Sequence, residues 1–558
     1  MLKQFLSLFL CFSLIQAESL NAQPLNQKQK FTEQDTLRGS VGPNRAWWDV
    51  DHYAIVVKPD YTNKFISGSN EISFTVLTPG TGKKMQIDLQ NPMQVDSISL
   101  NGKRCNKYTR NGNVFIVDLS DINFKKGKAE AEKLTVYYSG NPRVAKRAPW
   151  DGGWIFTKDA QGRPWMTVAC QGLGASVWYP CKDYQGDEPN NGATLKMIVP
   201  DTLIAVANGR LVNESASVNG LKSYTWKVVN PINNYNLVPY IGKYVHWSDS
   251  LHGEKKTPLT LDYWVLDYNK EKAKKQFDKD VKRMLRAFEY WFGPYPFYED
   301  GYKLVESSHL GMEHQSAVAY GNGFTNGYRG SDLSGTGWGK DWDYIIVHES
   351  GHEWFANNIT TNDIADMWVH EGFTMYSEVL FINYNYGKLG ADAYCSGIKL
   401  KIQNDKPIIG YYGVNQEGSG DMYNKGAGLL HNIRTIINND SLFRSILRGL
   451  NKDFYHKTIN SKDVENYINQ KAGINFNIVF DQYLRSTKIP NLEYMQANGK
   501  FQFRFSNCIS NFTMPISFGK EHSFTIYPTT EWQETTLPSG FGPDDIDKNY
   551  FVKLKKAE

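Results

Sequence analysis

This sequence contains few cysteines, few long apolar runs and no large excess of charge of either sign. Only 6 of 558 residues are cysteine, and none has the spacing of a zinc finger. The 62 basic and 58 acidic residues leave a net charge of +4, and no basic run is interleaved with aromatics, so we expect no nucleic-acid partner. No P-loop occurs. Beyond the first residues, no apolar stretch is long enough to span a membrane.

The N-terminus is typical of a secretory signal peptide. Lys3 precedes the apolar residues 5–15, small and polar residues follow, and residues 20–22 fit cleavage before Gln23. The apolar run is too short for a membrane span. We therefore expect residues 1–22 to be removed and the mature protein to be soluble, exported to the periplasm or medium, and monomeric.

Five cysteines remain after residue 22, so at least one of them stays unpaired. Cys170 and Cys181 are candidates for a disulfide, because export permits one. Free buried thiols are the alternative, since cysteine is also a common apolar core residue. The sequence leaves this choice open.

The remaining composition is that of a folded, multidomain α+β protein. Hydrophobic residues make up 41% and aromatic residues 14% of the chain. From residue 46 to 266 apolar and polar residues alternate, as at Ile72, Phe74 and Val76, and turn signals separate the runs, which predicts an antiparallel β domain over residues 23–266.

Helical periodicity begins at residue 269, where apolar residues recur every three to four positions up to Phe292. Further helices are predicted near residues 426–438 and 461–470. We therefore expect an α-rich catalytic domain of thermolysin type over residues 267–490. Alternation returns after Pro490, which predicts a small C-terminal β sandwich over residues 491–558.

Near the middle of the chain lies the segment HESGH, residues 348–352. Residues four apart share one face of a helix, so His348 and His352 can bind one metal ion, and Glu349 projects beside them. Eighteen residues separate the second histidine from Glu371, which lies near the start of another apolar helix. Two His, one Glu and an open position form a catalytic zinc site, with one Zn²⁺ per chain.

An ordinary helix with two hydrogen-bonded histidines is the alternative interpretation of this segment. The apolar flanks, residues 344–347 and 354–355, predict that the helix is buried. Buried His and Glu need partners, and a metal ion supplies them. Glu349 is then the candidate general base, because zinc lowers the pKa of water towards about 7.

Five segments together resemble the gluzincin aminopeptidase family that includes aminopeptidase N and the leukotriene hydrolase/aminopeptidase. The zinc motif and its spacing match, and residues 368–373 (WVHEGF) resemble the family segment W-L-N-E-G-F. Residues 311–314 (GMEH) resemble its G-x-M-E-N motif, residues 423–426 (YNKG) its Y-x-K-G segment, and residues 180–183 (PCKD) its P-C-x-D segment. The resemblance runs from about residue 47 to the C-terminus.

The resemblance implies a role for each matching residue. Glu313 would bind the free α-ammonium of a peptide, and Gln171 would line the same pocket from the β domain. Tyr423 would donate a hydrogen bond to the oxyanion of the tetrahedral intermediate. Glu378 would hydrogen-bond a zinc-binding histidine on the side of its ring away from the metal. The implied activity is hydrolysis of N-terminal residues from peptides that have a free N-terminus.

Three departures from the family pattern limit this expectation. His314 replaces the usual Asn and Leu310 a common Gly, which affects local contacts to the substrate. Asn415 lies where epoxide-hydrolysing members carry Asp, so epoxide chemistry is disfavoured. The family's long C-terminal helical domain has no counterpart in the sequence, so a less enclosed active site is expected.

Two other functions share much of this pattern. A thermolysin-like zinc endopeptidase would use His348, Glu349, His352 and a third Glu, but would not need Glu313. A non-catalytic peptide-binding protein could use the same fold, although every catalytic residue is in place. Cleavage of free compared with N-acetylated peptides separates the first two hypotheses, and a metal assay with a peptidase assay tests the third.

Overall fold

The computed structural model describes residues 30–126, 131–497, 500–519 and 522–557. The predicted signal peptide, residues 1–22, lies outside these ranges. Within them strands predominate first, helices follow, and strands return near the C-terminus. The predicted multidomain α+β fold, with an N-terminal β region and a helical catalytic region, is confirmed.

A short helix, α1 (Glu33–Gly39), precedes the N-terminal strands. These strands are β1 Trp48–Asp60, β2 Phe65–Val76, β3 Lys83–Asp88, β4 Gln94–Leu100, β5 Lys103–Cys105, β6 Tyr108–Asn111, β7 Val114–Leu119, β8 Glu132–Gly140, β9 Gly153–Lys158, β10 Pro164–Ala169, β11 Ala193–Pro200, β12 Ile204–Val206, β13 Arg210–Glu214, β14 Leu221–Val228 and β15 Tyr240–Gly242.

Three sheets organise this β region. The largest has the order β13-β14-β11-β1-β2-β8-β4-β5, the second β12-β15-β10-β9 and the third β3-β7-β6. Strands β1 and β11 pair in parallel, whereas β1 pairs with β2 in antiparallel register. The alternation that predicts β2 is seen as burial, because Ile72, Phe74 and Val76 all point into the core.

The central region combines one sheet with a group of helices. Its strands are β16 Tyr244–Leu251, β17 Leu259–Leu266, β18 Tyr302–Glu306, β19 Gly311–Met312, β20 Val318–Tyr320, β21 Ile359–Thr361 and β22 Lys457–Ile459. Its helices are α2 Lys270–Phe292, α3 Tyr344–Gly351, α4 Trp368–Tyr386, α5 Lys388–Lys399, α6 Asn424–Ile437, α7 Asp440–Asp453, α8 Ser461–Ala472 and α9 Asn477–Leu484.

Strands β16 to β20 form one sheet in the order β16-β17-β18-β20-β19. This sheet includes strands on both sides of residue 266, where the sequence predicts a domain boundary. The boundary itself stays a prediction. Helix α2 follows β17 and buries Phe277, Val281 and Phe288, the apolar stripe seen in the sequence. It ends at Gly293, whose φ of +96° suits glycine.

The C-terminal strands are β23 Asn491–Ala497, β24 Lys500–Ser506, β25 Ile516–Phe518, β26 Phe524–Ile526, β27 Gln533–Thr535 and β28 Lys553–Lys556. Strands β27-β24-β23-β28 form one sheet and β25-β26 another. The rings of Phe501 and Phe518, one from each sheet, lie 5.8 Å apart. The apolar alternation at residues 512–518 becomes a strand only from Ile516 onward.

Two further expectations concern cysteines and membranes. Cys170 and Cys181 are both buried free thiols, so the structure shows no disulfide between them. None of the helices within the described ranges has both the length and the apolar character that crossing a membrane requires.

Candidate metal and peptide site

The first candidate metal ligands come from helix α3. Asp343 caps its N-terminus, where the side-chain Oδ1 accepts the backbone N–H of Ile345 at 3.1 Å. The apolar residues that follow are buried and hold the helix against the core. The next turn presents His348, and His352 follows at the helix end with its ring centroid 5.2 Å from that of His348.

Glu371 reaches this pair from the first turn of α4. Its Oε2 lies 3.3 Å from Nε2 of His352 and 3.9 Å from Nε2 of His348. Glycines allow α4 this position: a Cβ on Gly351 would lie 2.5 Å from Oγ of Ser377, and one on Gly372 would lie 3.3 Å from Cα of Gly426. The helices therefore pack at distances that larger residues would prevent.

His348, His352 and Glu371 fit a zinc ion. Their ligand atoms all lie within 4.8 Å of one another, and Glu371 Oε2 is buried with no hydrogen-bond partner among the described residues. His348 Nδ1–H donates to Glu378 Oε1 at 2.6 Å, and His352 Nδ1–H donates to the Phe355 carbonyl at 3.1 Å. Both Nε2 lone pairs are then free, as a His₂Glu zinc site requires.

The pKa of Glu371 agrees with a metal site at this cluster. Burial tends to raise the pKa of Glu371, but the neighbouring His352 and His348 outweigh it and lower the pKa to about 2. Positive charge beside Glu371 thus favours its anionic form, which is the form that binds metal.

The structure adds residues behind the ligands that the sequence did not single out. Tyr394 donates its hydroxyl to the second oxygen of Glu378 at 2.6 Å. Thr374 Oγ1 lies 3.1 Å from Nδ1 of His352. Both lie on helices α4 and α5 at no recognisable spacing from the zinc motif, so only the fold identifies them.

Glu313 lies next to the metal-binding cluster, directly after strand β19. Its carboxylate is buried, and Gln171 Nε2 donates to its Oε1 at 2.6 Å. Tyr235, which sequence reasoning missed, donates its hydroxyl to the same oxygen at 2.6 Å. No hydrogen bond from the described residues engages Oε2. Burial raises the pKa of Glu313, against the charge of His352.

Glu349 and Tyr423 complete the group. The side-chain oxygens of Glu349 and Glu313 lie within 4.8 Å of a His352 ring nitrogen, and a Cβ on Gly311 would come within 2.6 Å of Glu349 Oε1. Burial raises the pKa of Glu349 to about 7, although both histidines lower it. The Tyr423 ring stacks near His348 at 6.1 Å.

One cavity of about 730 Å³ joins these residues. Its wall includes the following predicted site residues: Gln171, Glu313, His348, Glu349, His352, Glu371 and Tyr423. Glu378 stays behind the wall, in contact with His348. His314, where the sequence departs from the family pattern, is buried, and its Nδ1 contacts the Tyr240 hydroxyl.

The chain turns sharply just after the zinc helix, at Ala356. This residue has φ 134° and ψ −45°, a conformation in which a Cβ is strained. The turn aims the Phe355 carbonyl at His352 and lets Asn357 Nδ2 donate to the Glu313 carbonyl at 2.8 Å. It therefore connects His352, a candidate metal ligand, with Glu313.

Ala356→Gly should raise the free energy of unfolding by about 1 kcal/mol, because strain at such a residue exceeds the entropy that glycine costs. Urea denaturation of both proteins measures the change. Ala427→Gly, in helix α6 at ordinary helical geometry, is the matched control and should destabilise by about 1 kcal/mol. Destabilisation by both substitutions would contradict the strain at Ala356.

Comparisons with known proteins agree with this geometry. Residues 276–483 match the Peptidase family M1 domain. Puromycin-sensitive aminopeptidase of Caenorhabditis elegans is 21% identical over 415 residues, which cover 68% of this chain and 40% of that protein. Aminopeptidase N of Canis lupus familiaris is 23% identical over 333 residues, which cover 54% and 32%. The matched part of the chain thus spans two fifths or less of these relatives.

The fold is also similar to that of a solved protein. A mutant M1 zinc metallopeptidase from Deinococcus radiodurans, bound to a Tyr-Ser-Ala substrate, superposes with a TM-score of 0.65 at 19% identity. The superposition covers 81% of this chain and 98% of that one. The His-His-Glu cluster lies within residues 276–483, and over this segment the chain is similar to the Peptidase family M1 domain.

Proposed function

We propose that the protein is a zinc aminopeptidase that hydrolyses the first peptide bond of peptides with a free N-terminus. The observation that carries the proposal is the buried Glu313 carboxylate, which shares one cavity with the His348, His352 and Glu371 cluster. A metal cluster alone would suit any zinc peptidase. A second buried carboxylate beside it suits an enzyme that positions its substrate through the positive charge of the peptide N-terminus.

The amine-binding group is Glu313 with its two donors. Gln171 and Tyr235 both donate to Oε1, so they hold the carboxylate in one orientation and leave Oε2 for an ammonium. Since a buried carboxylate without a counter-charge is costly, the site favours a ligand that brings one. The α-ammonium of a peptide would place the first carbonyl beside the zinc ligands.

Zinc, when bound by His348, His352 and Glu371, supplies a Lewis acid that polarises the carbonyl and lowers the pKa of water. Glu349 accepts the proton of the attacking water on its carboxylate and returns it to the leaving nitrogen. The Tyr423 hydroxyl donates a hydrogen bond to the carbonyl oxygen as negative charge develops there. Glu378 keeps the His348 ring oriented through Nδ1.

The test is paired kinetics on one peptide with a free and an acetylated N-terminus. Acetylation leaves Glu313 desolvated and unpaired, so kcat/KM should fall by about 10²-fold or more. Glu313→Ala should weaken the free-amine substrate strongly and so remove most of this discrimination. A thermolysin-like endopeptidase would instead cleave both forms equally, or cut a long acetylated peptide internally.

We further propose that the protein acts on peptides outside the cytoplasm. The support is the sequence of residues 1–22, which has the charge, apolar run and cleavage residues of a signal peptide. N-terminal sequencing of the protein isolated after expression with its full leader should begin at Gln23. An intact Met1 in the cytoplasmic fraction would refute export.

A further inference from the structure

The active-site cavity is strongly asymmetric in charge. Its wall contains the following carboxylates: Asp151, Glu313, Glu349, Glu371 and Glu417. Among the described residues that line it, none is Lys or Arg. The excess of carboxylates over Lys and Arg on this wall favours cationic ligands.

Four of these carboxylates already have a partner or a role. Glu371 faces the two histidines, Glu349 lies beside them, and Glu313 is held by Gln171 and Tyr235. The carboxylate of Asp151 accepts the backbone N–H groups of residues 146 and 147 at 2.7 and 2.9 Å. Asp151 therefore stabilises the loop that contains it.

Glu417 is the fifth carboxylate on the cavity wall. Its side chain makes no hydrogen bond or ion pair with any residue of the described ranges, and it is exposed to solvent. It nevertheless lines the cavity. Although Glu417 is exposed at the surface, the surrounding wall partly desolvates its carboxylate and so raises the pKa of Glu417; the charge of Glu371 raises it further, while Lys406 opposes them. A mobile cation in the cavity would relieve this repulsion.

The backbone that carries Glu417 is well fixed. A Cβ on Gly418 would meet the Ile408 carbonyl at 1.7 Å, and Ser419 N–H donates to the Pro407 carbonyl at 2.9 Å. Asn415 Nδ2 contacts the Gly172 carbonyl at 3.3 Å, which ties this loop to the β-domain loop that carries Gln171. The carboxylate is thus presented from a packed loop.

Apolar residues also line the cavity. Leu310, Met312 and Met422 all line it. Such residues suit the methylene stem of a long basic side chain, whose charged end can extend to a carboxylate. A wall of this kind, with one unpaired carboxylate, is complementary to lysine and arginine.

We propose that Glu417 is a specificity-determining residue that pairs with a lysine or arginine side chain of the peptide substrate. The inference rests on the proposed aminopeptidase function, in which Glu313 takes the α-ammonium and Glu417 takes a second positive charge. That charge can come from the first or the second residue of the peptide, and the test below separates the two.

The experiment compares kcat/KM for substrates of equal length that differ in charge. Lysyl- and norleucyl-arylamides test the first residue, and leucyl-lysine amide and leucyl-norleucine amide test the second. The zinc-loaded wild type should prefer lysine over norleucine in one of the pairs. In Glu417→Gln that ratio should fall about tenfold, mainly through KM, because a charge-assisted pair is lost.

Controls separate this effect from general damage. Glu531→Gln makes the same chemical change on an exposed residue of the C-terminal region and should leave the ratio as in the wild type. Glu417→Lys should invert the selectivity, with a glutamyl substrate gaining over its glutaminyl counterpart. Zinc content and thermal unfolding of each variant check that the protein is folded.

The outcomes of this experiment are distinct. A ratio that Glu417→Gln leaves unchanged, in a wild type that cleaves norleucyl substrates, would overturn the role of Glu417 and leave the aminopeptidase function standing. Failure of the zinc-loaded wild type to cleave any of these substrates would overturn the proposed function and this inference together.

Discussion

Replacing Glu349 with glutamine should lower kcat by about 10²- to 10⁴-fold while the protein still binds one zinc ion. Glutamine keeps the shape of the side chain, but its amide cannot accept the proton that hydrolysis releases. The metal should remain, because the three proposed ligands are His348, His352 and Glu371, and each histidine keeps its Nδ1 partner. The measurement is steady-state kinetics on an amino-acid arylamide, together with metal analysis after dialysis.

Ser350→Ala is the matched control on the same helix. The Ser350 hydroxyl contacts the hydroxyl of Tyr302 at 2.7 Å and does not line the cavity. Its loss should cost about 1 kcal/mol of stability and leave turnover near that of the wild type. Near-normal turnover by a zinc-loaded Glu349→Gln protein would remove Glu349 as the general base. Loss of zinc from that variant would instead make it a ligand.

Tyr423→Phe should lower kcat by about 10²- to 10³-fold with little change in KM. The substitution removes one hydroxyl and keeps the ring that stacks near His348. A donor that meets the oxyanion only as charge develops stabilises the transition state and not the bound substrate. Kinetics over a range of substrate concentrations separates the two effects.

Tyr384→Phe is the corresponding control, since Tyr384 lies on α4 with 44% of its surface exposed and outside the cavity. It should leave both constants unchanged. If Tyr423→Phe raised KM alone, Tyr423 would be a ground-state binding residue and the assignment to the oxyanion would be wrong.

Much of the fold could be predicted because its signals are local. The alternation at Ile72, Phe74 and Val76 predicts β2, and the apolar stripe on residues 269–292 predicts α2 nearly to the residue. The C-terminal region shows the limit of the same method. Apolar alternation continues from Phe512, but regular pairing begins only at Ile516, because buried residues need not be hydrogen-bonded into a ladder.

The metal cluster could also be predicted from the sequence. A spacing of four on a helix aligns His348 and His352 whatever the rest of the chain does, and a carboxylate on a neighbouring apolar helix is the usual third ligand. The roles of Glu313, Gln171, Tyr423 and Glu378 came from resemblance alone. The structure places all of them at or behind one cavity wall, and their roles stay predictions until the variants are measured.

By itself, the sequence determined helices such as α2, strands such as β2 and the alignment of two histidines on one helix face, since periodicity acts over a few residues. The tertiary structure decided what joins Glu313: Gln171 lies 142 residues away in the chain and Tyr235 lies 78 residues away. It also decided the strained turn at Ala356 and the unpaired carboxylate of Glu417. These depend on which surfaces pack together, and packing is a property of the whole fold that no short segment encodes.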